Sequence, residues 1–433
     1  MDTVGRRFCG ERKGQMLWGG LLATAAAWSS VVLAGCPVPE EEFQDPQRPF
    51  PQHSNYATST LLPDHRTQAS LDADVRAAYN RWKDRYLEDA SGRRGPTRYR
   101  VKFSRDARAE TVSEGQGYGM LIAAYLAGHD PDAQKIFNGL WRFFRDHPST
   151  IDGRLMDWHV PSNERAEPGE DDSAFDGDAD IAFALILADT QWGSDGSVDY
   201  AAEANRVLDG ILASEIGPTS RLPMLGDWVE ANGDTHNENT PRSSDFLVAH
   251  FRAFADFTGA AVWDEVAAAC QAVVEQVQTD FSPDTGLLPD FLVPRGGGGF
   301  QPAPADFLEG PADGAWSYNA VRDPWRLGID AALFGDAMSQ AQVARMSAWA
   351  ETETGGVPAN IRAGYTLDGT PLPDSNFFSS IFAAPLGVAA MSTDSQAWLN
   401  AVYDAVRETD EGYYEDSVTL LCLLVMTENW WTP

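Results

Sequence analysis

The sequence predicts an all-α protein in which paired helices stack around a common centre. Apolar residues recur near a 3.6-residue period through most of the chain, which is typical of amphipathic helices, and strand patterns are few and short. No fixed-period repeat is visible, which argues against the common repeat families and leaves a solenoid or a closed double ring of helices. A closed ring would leave a central cleft, built from the loops at one end.

The helical segments are separated by short polar or Gly/Pro connections. They span residues 72–87, 133–147, 180–192, 200–216, 246–259, 262–281, 341–353, 396–408 and 416–431. A further apolar helix is predicted from the segment SEGQGYGMLIAAYLAG at residues 113–128.

The front of the chain carries the pattern of an export signal. Basic residues up to Lys13 precede an apolar, Ala-rich run, which ends in the quartet Leu33-Ala34-Gly35-Cys36. That quartet resembles a bacterial lipobox, so residues 1–36 are predicted to be a lipoprotein-type signal lipidated at Cys36. The alternative is a simply secreted protein in which Cys36 is incidental. The acidic, Pro-rich residues 37–66 are predicted to form a flexible tether.

Residues 67–433 are predicted to form one large domain. They contain no second apolar run long enough to span a bilayer and no linker that would divide them. Cys270 and Cys422 lie in apolar helical patterns and are expected to be core residues. A disulfide bond between them is the alternative. The formal net charge of −32 excludes nucleic acid as a partner, because no basic patch exists to exchange against phosphate counterions.

Glu114 stands at the start of an apolar, Gly-rich helix rather than on a solvated face. The plain interpretation is that an acid suits a helix N-terminus through the macrodipole. The functional interpretation is a buried acid that faces the cleft. A neighbouring carboxylate would raise its pKa, against the lowering expected from the helix N-terminus.

Three aspartates, Asp176, Asp178 and Asp180, precede another apolar helix. Helix capping or a calcium loop would explain them, but Ile181 and Leu187 stand where a calcium loop needs its Gly and its bidentate Glu. Carboxylates in unlike environments instead indicate cleavage of a glycosidic bond, in which one acid protonates the leaving oxygen and another activates water.

Four blocks of the chain, taken in order, resemble glycoside hydrolase family 8. They are SEGQGYGM, AFDGDADIAFALILADTQW, YNAVRDPWR and YYEDSVTLLCLLVMTENWW, and the second block departs from the family's signature only where Phe175 replaces Ser or Thr. The resemblance implies an (α/α)6 barrel of paired inner and outer helices, an inverting mechanism and a long cleft for a β-1,4-linked polysaccharide. It also implies that Glu114 is the general acid and that Asp176 holds the sugar ring in a distorted form.

One residue departs from the better-known members of that family. Asn319 stands where they carry the Asp that acts as general base. The chain resembles a subgroup with Asn at this position, which takes its base from a Glu in an inserted loop, here Glu309. The segment VPRGGGGFQPAPADFLE is too rich in Gly and Pro for a helix, so it could fold over the cleft. The alternative is a solvated Glu309 in a surface loop.

Aromatic residues near these blocks could stack on sugars, although most Trp and Tyr are core residues. Trp158 and Trp228 are the preferred candidates because they lie in loop-like segments, and Arg322 and Arg326 are expected mainly to orient carboxylates. The substrate-binding set predicted from the sequence is Asn319, Tyr118, Trp158, Trp228, Tyr318, Arg322 and Trp325; Trp316 and Tyr365 are further aromatic candidates.

The seven His have no metal-ligand spacing, so neither a metal nor another cofactor is predicted. We expect an exported monomer that meets a membrane only through a lipid anchor. Two functions stay open: an inverting endo-β-1,4-glycanase acting on chitosan or on a β-glucan such as lichenan or cellulose, or a carbohydrate-binding protein that has lost catalysis. The acidic charge favours chitosan, because it would concentrate a polycation near the cleft.

Overall fold

The computed structural model describes residues 41–92, 95–106, 109–163 and 171–433. The predicted signal and lipobox therefore lie outside the described residues. Within these ranges the chain forms twelve α-helices. They are α1 (Gln68–Tyr86), α2 (Ser113–Tyr125), α3 (Ala133–Asp146), α4 (Phe175–Trp192), α5 (Tyr200–Ser214), α6 (Val248–Thr258), α7 (Val262–Asp280), α8 (Asp323–Phe334), α9 (Ala337–Thr354), α10 (Ser380–Ala390), α11 (Gln396–Val406) and α12 (Tyr413–Met426).

The even-numbered helices form a closed inner ring. Each packs against the next, from α2 through α4, α6, α8 and α10 to α12, and α12 returns to contact α2. Every odd-numbered helix packs outside an inner one: α3 on α2, α5 on α4, α7 on α6, α9 on α8, α11 on α10 and α1 on α12. The predicted (α/α)6 barrel is confirmed, and the solenoid alternative is excluded because the ring closes.

Burial explains which helices occupy each ring. Every residue of α4 except Asp189 and Thr190 is buried, and α10 is buried along its whole length. A helix that is apolar on all sides needs neighbours on all sides. The outer helices α5, α7 and α11 bury one face and expose the other, as the amphipathic pattern predicts, and α3 is exposed only at its last residue.

Helices α8 and α10 were not predicted from the apolar periodicity of the sequence. Helix α8 carries Pro324 in its first turn, where the missing N–H costs no hydrogen bond, and α10 carries Pro385 in its interior. Both belong to the inner ring, where burial on all sides removes the alternation of polar and apolar faces. The apolar period is therefore clearest in the outer helices.

The expectation of a flexible tether is wrong for residues 42–66, which belong to the same compact unit as the barrel. We call residues 47–61 the strap. Its backbone N–H groups donate to carbonyls in the last turns of α4 and α8 and just beyond the ends of α2, α12 and α10, and Phe50 is buried. Carbonyls in the last turn of a helix have no partner within the helix, so the strap satisfies two of them and closes the base of the barrel. The bonds are Gln47–Gln191, Phe50–Ala127, Ser54–Glu428, Ala57–Ala332 and Leu61–Met391.

Three small antiparallel strand pairs complete the described secondary structure. They are β1 (Leu87–Asp89) with β2 (Tyr99–Val101), β3 (Thr111–Val112) with β4 (His159–Val160), and β5 (Leu292–Pro294) with β6 (Phe300–Pro302). The second pair leads directly into α2. The third begins the Gly-rich segment that ends at Glu309, in which Gly297, Gly298 and Gly299 adopt the left-handed backbone that favours glycine.

The described residues contain neither a disulfide bond nor a helix that could span a membrane. Cys270 and Cys422 are both buried and free, so the bridge left open by the sequence does not form. In the described ranges, no helix is both long enough and apolar enough to cross a bilayer.

Helices α2 and α4 approach so closely that glycine is required between them. A Cβ added to Gly177 would lie 2.6 Å from the carbonyl carbon of Ser113, and one on Gly117 would lie 2.8 Å from Cβ of Asp180. Gly177→Ala is expected to lower the free energy of unfolding by about 1–3 kcal/mol, because the helices must separate to fit the methyl group. Chemical denaturation measures this loss.

Gly196→Ala is the matched control, since nothing lies within 4 Å of the added methyl group in its loop. Equal stability of the two variants would contradict the close approach of α2 and α4.

Candidate active site

The N-terminal ends of the inner helices meet at one end of the barrel, which we call the mouth. Glu114 lies in the first turn of α2, Asp176 in the first turn of α4, and Tyr413 begins α12. Arg322 ends the short 3-10 helix Ala320–Arg322 that leads into α8. The barrel thus brings together side chains that are as much as 299 residues apart in the sequence.

Glu114 is held on both carboxylate oxygens. Arg322 donates from Nη1 to Oε2 at 2.8 Å, and the Tyr413 hydroxyl donates to Oε1 at 3.1 Å. Burial raises the pKa of Glu114 to about 7; Arg322 opposes this rise, and the Asp176 carboxylate adds to it. The carboxyl group is thus an acid that keeps its proton up to about neutral pH, as a general acid requires.

Asp176 is kept ionised by two arginines. Arg322 donates from Nη1 to Oδ2 at 2.7 Å, and Nη1 of Arg242 lies 3.6 Å from the same oxygen. Burial acts to raise the pKa of Asp176, but Arg322 and Arg242 together hold it below its ordinary value. Glu114 and Asp176 therefore differ in protonation state, as expected for two carboxylates in unlike environments.

The other two aspartates of the cluster turn away from the mouth. Asp180 is buried against Arg326, with bonds of 2.8 and 2.6 Å, and against His250 at 3.0 Å. Asp178 is buried and accepts the backbone N–H of Met156 at 2.9 Å. Only the first aspartate of the three shares Arg322 with Glu114, and the other two bond to groups elsewhere in the barrel and support its structure.

Glu309 reaches the mouth from its loop. Its Oε2 accepts from Nδ2 of Asn319 at 2.8 Å, and its Oε1 lies 3.2 Å from Nη2 of Arg242. Asp313 fixes the loop, because its carboxylate accepts the backbone N–H groups of Leu308, Glu309 and Gly310. With 49% of its side chain exposed, Glu309 is open to water while its backbone is anchored.

Asn319 connects the two ends of the site. Arg322 donates from Nη2 to Oδ1 of Asn319 at 3.3 Å, so a chain of bonds runs from Glu114 through Arg322 and Asn319 to Glu309. The amide orientation follows from chemistry, because a guanidinium can only donate and an ionised carboxylate can only accept. Asn319 therefore presents its oxygen to Arg322 and its nitrogen to Glu309.

Trp158 and Trp228 line a cavity of about 460 Å³ beside Glu309 and Arg242. Trp158 is 39% exposed, and Ser113 donates its backbone N–H to the carbonyl of Trp158 at 2.9 Å, next to Glu114. Tyr318 is also exposed. These three rings are accessible to a sugar. A cavity of about 570 Å³ at the base of the barrel is lined by strap residues and includes no carboxylate.

Two aromatic residues of the predicted substrate-binding set are wrong as sugar contacts. Tyr118 and Trp325 are fully buried and pack edge to face against each other, so neither ring can stack on a substrate. Trp316 and Tyr365 are buried as well. Arg322 is only 1% exposed and bonds to protein carboxylates, so it orients these groups instead of touching substrate directly.

Three polar residues of the site were not predicted from the sequence. Tyr413 donates to Glu114, Ser244 accepts from Arg322 at 2.9 Å, and Arg242 contacts both Asp176 and Glu309. Tyr413 falls in the last family-like block, which was a usable signal. Arg242 and Ser244 lie in the segment TPRSSD, which has no pattern that separates them from an ordinary polar loop.

In the described part of the chain, no group of three or more His, Cys, Asp or Glu is arranged to hold a metal ion. Arginines compensate the carboxylates of the mouth instead. The chemistry that these residues offer is proton transfer.

The raised pKa of Glu114 predicts how activity depends on pH. A general acid works only when protonated, so kcat/KM is expected to fall as pH rises through about 7. Well above this value the fall approaches about tenfold per pH unit, which a pH–rate profile on the free enzyme measures.

The residual activity of Glu114→Gln serves as the control and should lack this alkaline fall. The assignment fails if wild type and variant fall in parallel.

A ring of paired helices with a protonated acid, an ionised aspartate and exposed aromatic rings at its mouth defines an enzyme of the glycosidase class. The profile of the family described as Glycosyl hydrolases family 8 matches residues 49–428. The chain therefore belongs to glycosyl hydrolases family 8 and is an endo-acting glycoside hydrolase.

Individual relatives agree in length and in fold. The chain is 40% identical over 392 residues to a beta-glucanase of Niallia circulans, covering 90% of this chain and 93% of that protein. It is 39% identical to an endoglucanase of Bacillus sp. strain KSM-330, covering 89% and 82%. The apo structure of a beta-1,3-1,4-glucanase from Paenibacillus sp. X4 superposes with a TM-score of 0.85 at 40% identity, covering 90% of this chain and all of that one.

Proposed function

We propose that this protein is an inverting endo-β-glycanase that hydrolyses β-glucan chains, with Glu114 as general acid and Glu309 as general base. The observation that carries the proposal is the contact of 2.8 Å between Asn319 and Glu309, which brings a carboxylate to the position beside Asn319. An Asn alone cannot accept a proton at neutral pH, so this contact favours hydrolysis over a binding protein that has lost catalysis.

In the proposed reaction, Glu114 protonates the glycosidic oxygen while Glu309 takes a proton from the attacking water. The C–O bond of the leaving chain breaks as the bond from water to the anomeric carbon forms, on the opposite face of the ring. Asp176 stays ionised between Arg322 and Arg242 and holds the distorted sugar. Such a site needs roughly 6.5–9.5 Å between the acid and base carboxyl groups to admit the water.

Asn319 has a defined part in this scheme. Its Nδ2 holds one oxygen of Glu309, and its Oδ1 is held by Arg322. The arrangement supports membership of the subgroup that carries Asn in place of the usual Asp. In that case the proton of the water goes to Glu309, and the Asn319 amide orients the base and the water.

The substrate is proposed from two sources. The names of the relatives favour a β-glucan, of the β-1,3-1,4 or the cellulose type. The net charge of −32 favours chitosan as the second candidate, since an acidic protein attracts a polycation at low ionic strength.

Hydrolysis of lichenan, cellulose and chitosan by the purified protein tests the function, with reducing sugar as the measurement. The expected result is release from lichenan or cellulose, with an α-anomeric first product by NMR. A β-anomeric first product would mean retention and would refute the scheme. Binding without hydrolysis of any polymer would favour the binding protein. Release of reducing sugar from chitosan alone would make chitosan the substrate in place of β-glucan.

We further propose export with lipid attachment at Cys36. Support comes from the sequence only, through the basic residues, the apolar run and the Leu33–Cys36 quartet. The expected result is that the full chain expressed in bacteria partitions into detergent, whereas Cys36→Ser partitions into water. Cys9→Ser is the control and should behave as the wild type; equal partitioning of all three proteins would exclude the anchor.

A further inference from the structure

Arg242 lies between two carboxylates to which the proposed mechanism gives different tasks. Its Nη2 is 3.2 Å from Oε1 of Glu309, and its Nη1 is 3.6 Å from Oδ2 of Asp176. Its side chain is 12% exposed, against 49% for Glu309. Among the described residues, Arg242 is the one cation within ion-pair distance of Glu309.

The backbone around Arg242 is built into the start of the loop that carries Glu309. Arg242 forms an antiparallel bridge with Phe291, and Leu292, the first residue of β5, donates its N–H to the carbonyl of Pro241 at 3.0 Å. The guanidinium lies over the Phe291 ring, 5.4 Å from its centroid. Arg242 and the loop therefore share one local framework, which fixes the guanidinium relative to Glu309.

Two donors together fix the Glu309 carboxylate. Asn319 holds Oε2 and Arg242 holds Oε1, so both the position and the plane of the group are set from different directions. Each oxygen keeps a second lone pair for water. With Asn319 alone, a half-exposed carboxylate could rotate about its last torsion, and the base would lose its alignment with the water.

The second guanidinium nitrogen extends this arrangement to the aspartate. Asp176 lies between the two arginines. Arg322 also forms an ion pair with Glu114, and Arg242 also forms one with Glu309. Nε of Arg242 is buried without a hydrogen-bond partner, so its ion pairs to the mouth use the two terminal nitrogens. Arg242 therefore links Glu309, the proposed base, to Asp176, which faces the sugar ring in the proposed reaction.

We infer that Arg242 is a positioning residue for hydrolysis: it aligns the Glu309 carboxylate for water activation and ties it to Asp176. The inference rests on the proposed role of Glu309 as general base. Arg242 takes no part in proton transfer in this scheme, so its effect on turnover is assigned to the alignment of Glu309.

Arg242→Met removes the charge and keeps most of the side-chain length. The expected result is a fall in kcat on the order of 100-fold, the scale of a base misplaced by about 1 Å, with KM close to that of the wild type. Arg242→Lys should recover part of the loss, because it restores a cation without the planar fork. Arg221→Met is the matched control, since Arg221 forms an exposed pair with Glu265 at 2.8 Å.

A double-mutant cycle with Glu309→Gln separates positioning from independent effects. If Arg242 acts through Glu309, the double variant should be no slower than Glu309→Gln alone. The inference is overturned if the kcat losses of the two single variants multiply in the double variant. It is also overturned if Arg242→Met has the wild-type kcat or changes KM alone. If Arg242→Met does not fold by circular dichroism, Arg242→Lys takes its place in the cycle with the same outcomes.

The same cycle distinguishes failure of the base assignment from failure of the inference. Near wild-type turnover in Glu309→Gln would refute the role of Glu309 and with it the basis of the inference. The role of Arg242 alone would be refuted if Glu309→Gln loses turnover while the Arg242 variant keeps full activity. The same holds if the effects of the Arg242 variant and of Glu309→Gln on kcat are independent of each other.

Discussion

Replacing Glu114 by Gln is expected to lower kcat on a β-glucan by a factor on the order of 100 to 10,000, the usual contribution of general acid catalysis. The amide keeps the shape of the side chain and an oxygen for Arg322, but its N–H groups are far too weakly acidic to protonate the leaving sugar. Reducing-sugar assays at a pH below 7 measure the loss, because there the wild-type acid is protonated.

The choice of substrate makes this test specific. An aryl β-glycoside whose phenol leaves without protonation should lose far less activity in Glu114→Gln than the polymer does. Glu353→Gln, on the exposed face of the outer helix α9, is the matched control and should retain full activity. Equal losses on the aryl glycoside and the polymer would contradict the role of Glu114 as acid.

Replacing Glu309 by Gln is expected to cause a loss of similar size, on the order of 100 to 10,000-fold. This loss should affect the aryl glycoside and the polymer alike, because the attacking water needs a base whatever the leaving group. Assaying both substrates in both variants therefore separates the acid from the base. More than about a tenth of wild-type activity in Glu309→Gln would exclude general base catalysis by that residue.

The double variant Glu309→Gln with Asn319→Asp tests the position of Asn319. Asn319 already lies 2.8 Å from Glu309 and 3.3 Å from Arg322, so an Asp there would accept from both neighbours. Partial recovery over Glu309→Gln is expected, but not full activity, since the surrounding groups are arranged for the other base. No recovery in a folded protein would mean that position 319 does not face the water.

The sequence predicted the helical architecture, although not α8 and α10, and it named the acid, the base and the aspartate to which the proposed chemistry is assigned. Glu114 and Asp176 stand in family-like blocks at the starts of helices, and the inner ring brings these starts together. Glu309 was found through the departure at Asn319 and the Gly-rich segment before it. Each of these is a local signal, which is the kind that a single sequence retains.

What the sequence did not reveal depends on contacts between distant segments. Tyr118 and Trp325 stand beside site residues in the sequence, yet their side chains are buried between inner helices. Arg242 meets Glu309 only because its segment pairs with Phe291. The Pro-rich composition of the strap suggested a tether, but its N–H groups bond to the ends of the inner helices.

The strap also constrains the order in which the protein can fold. Ser54 donates its backbone N–H to the carbonyl of Glu428 at 2.7 Å, and Gln52 donates its own to Asn429, 377 residues further along the chain. A ribosome makes residues 52 and 54 long before the residues that accept from them. The base therefore closes only after α12 has been synthesised, and the barrel reaches its native state as a late, long-range event.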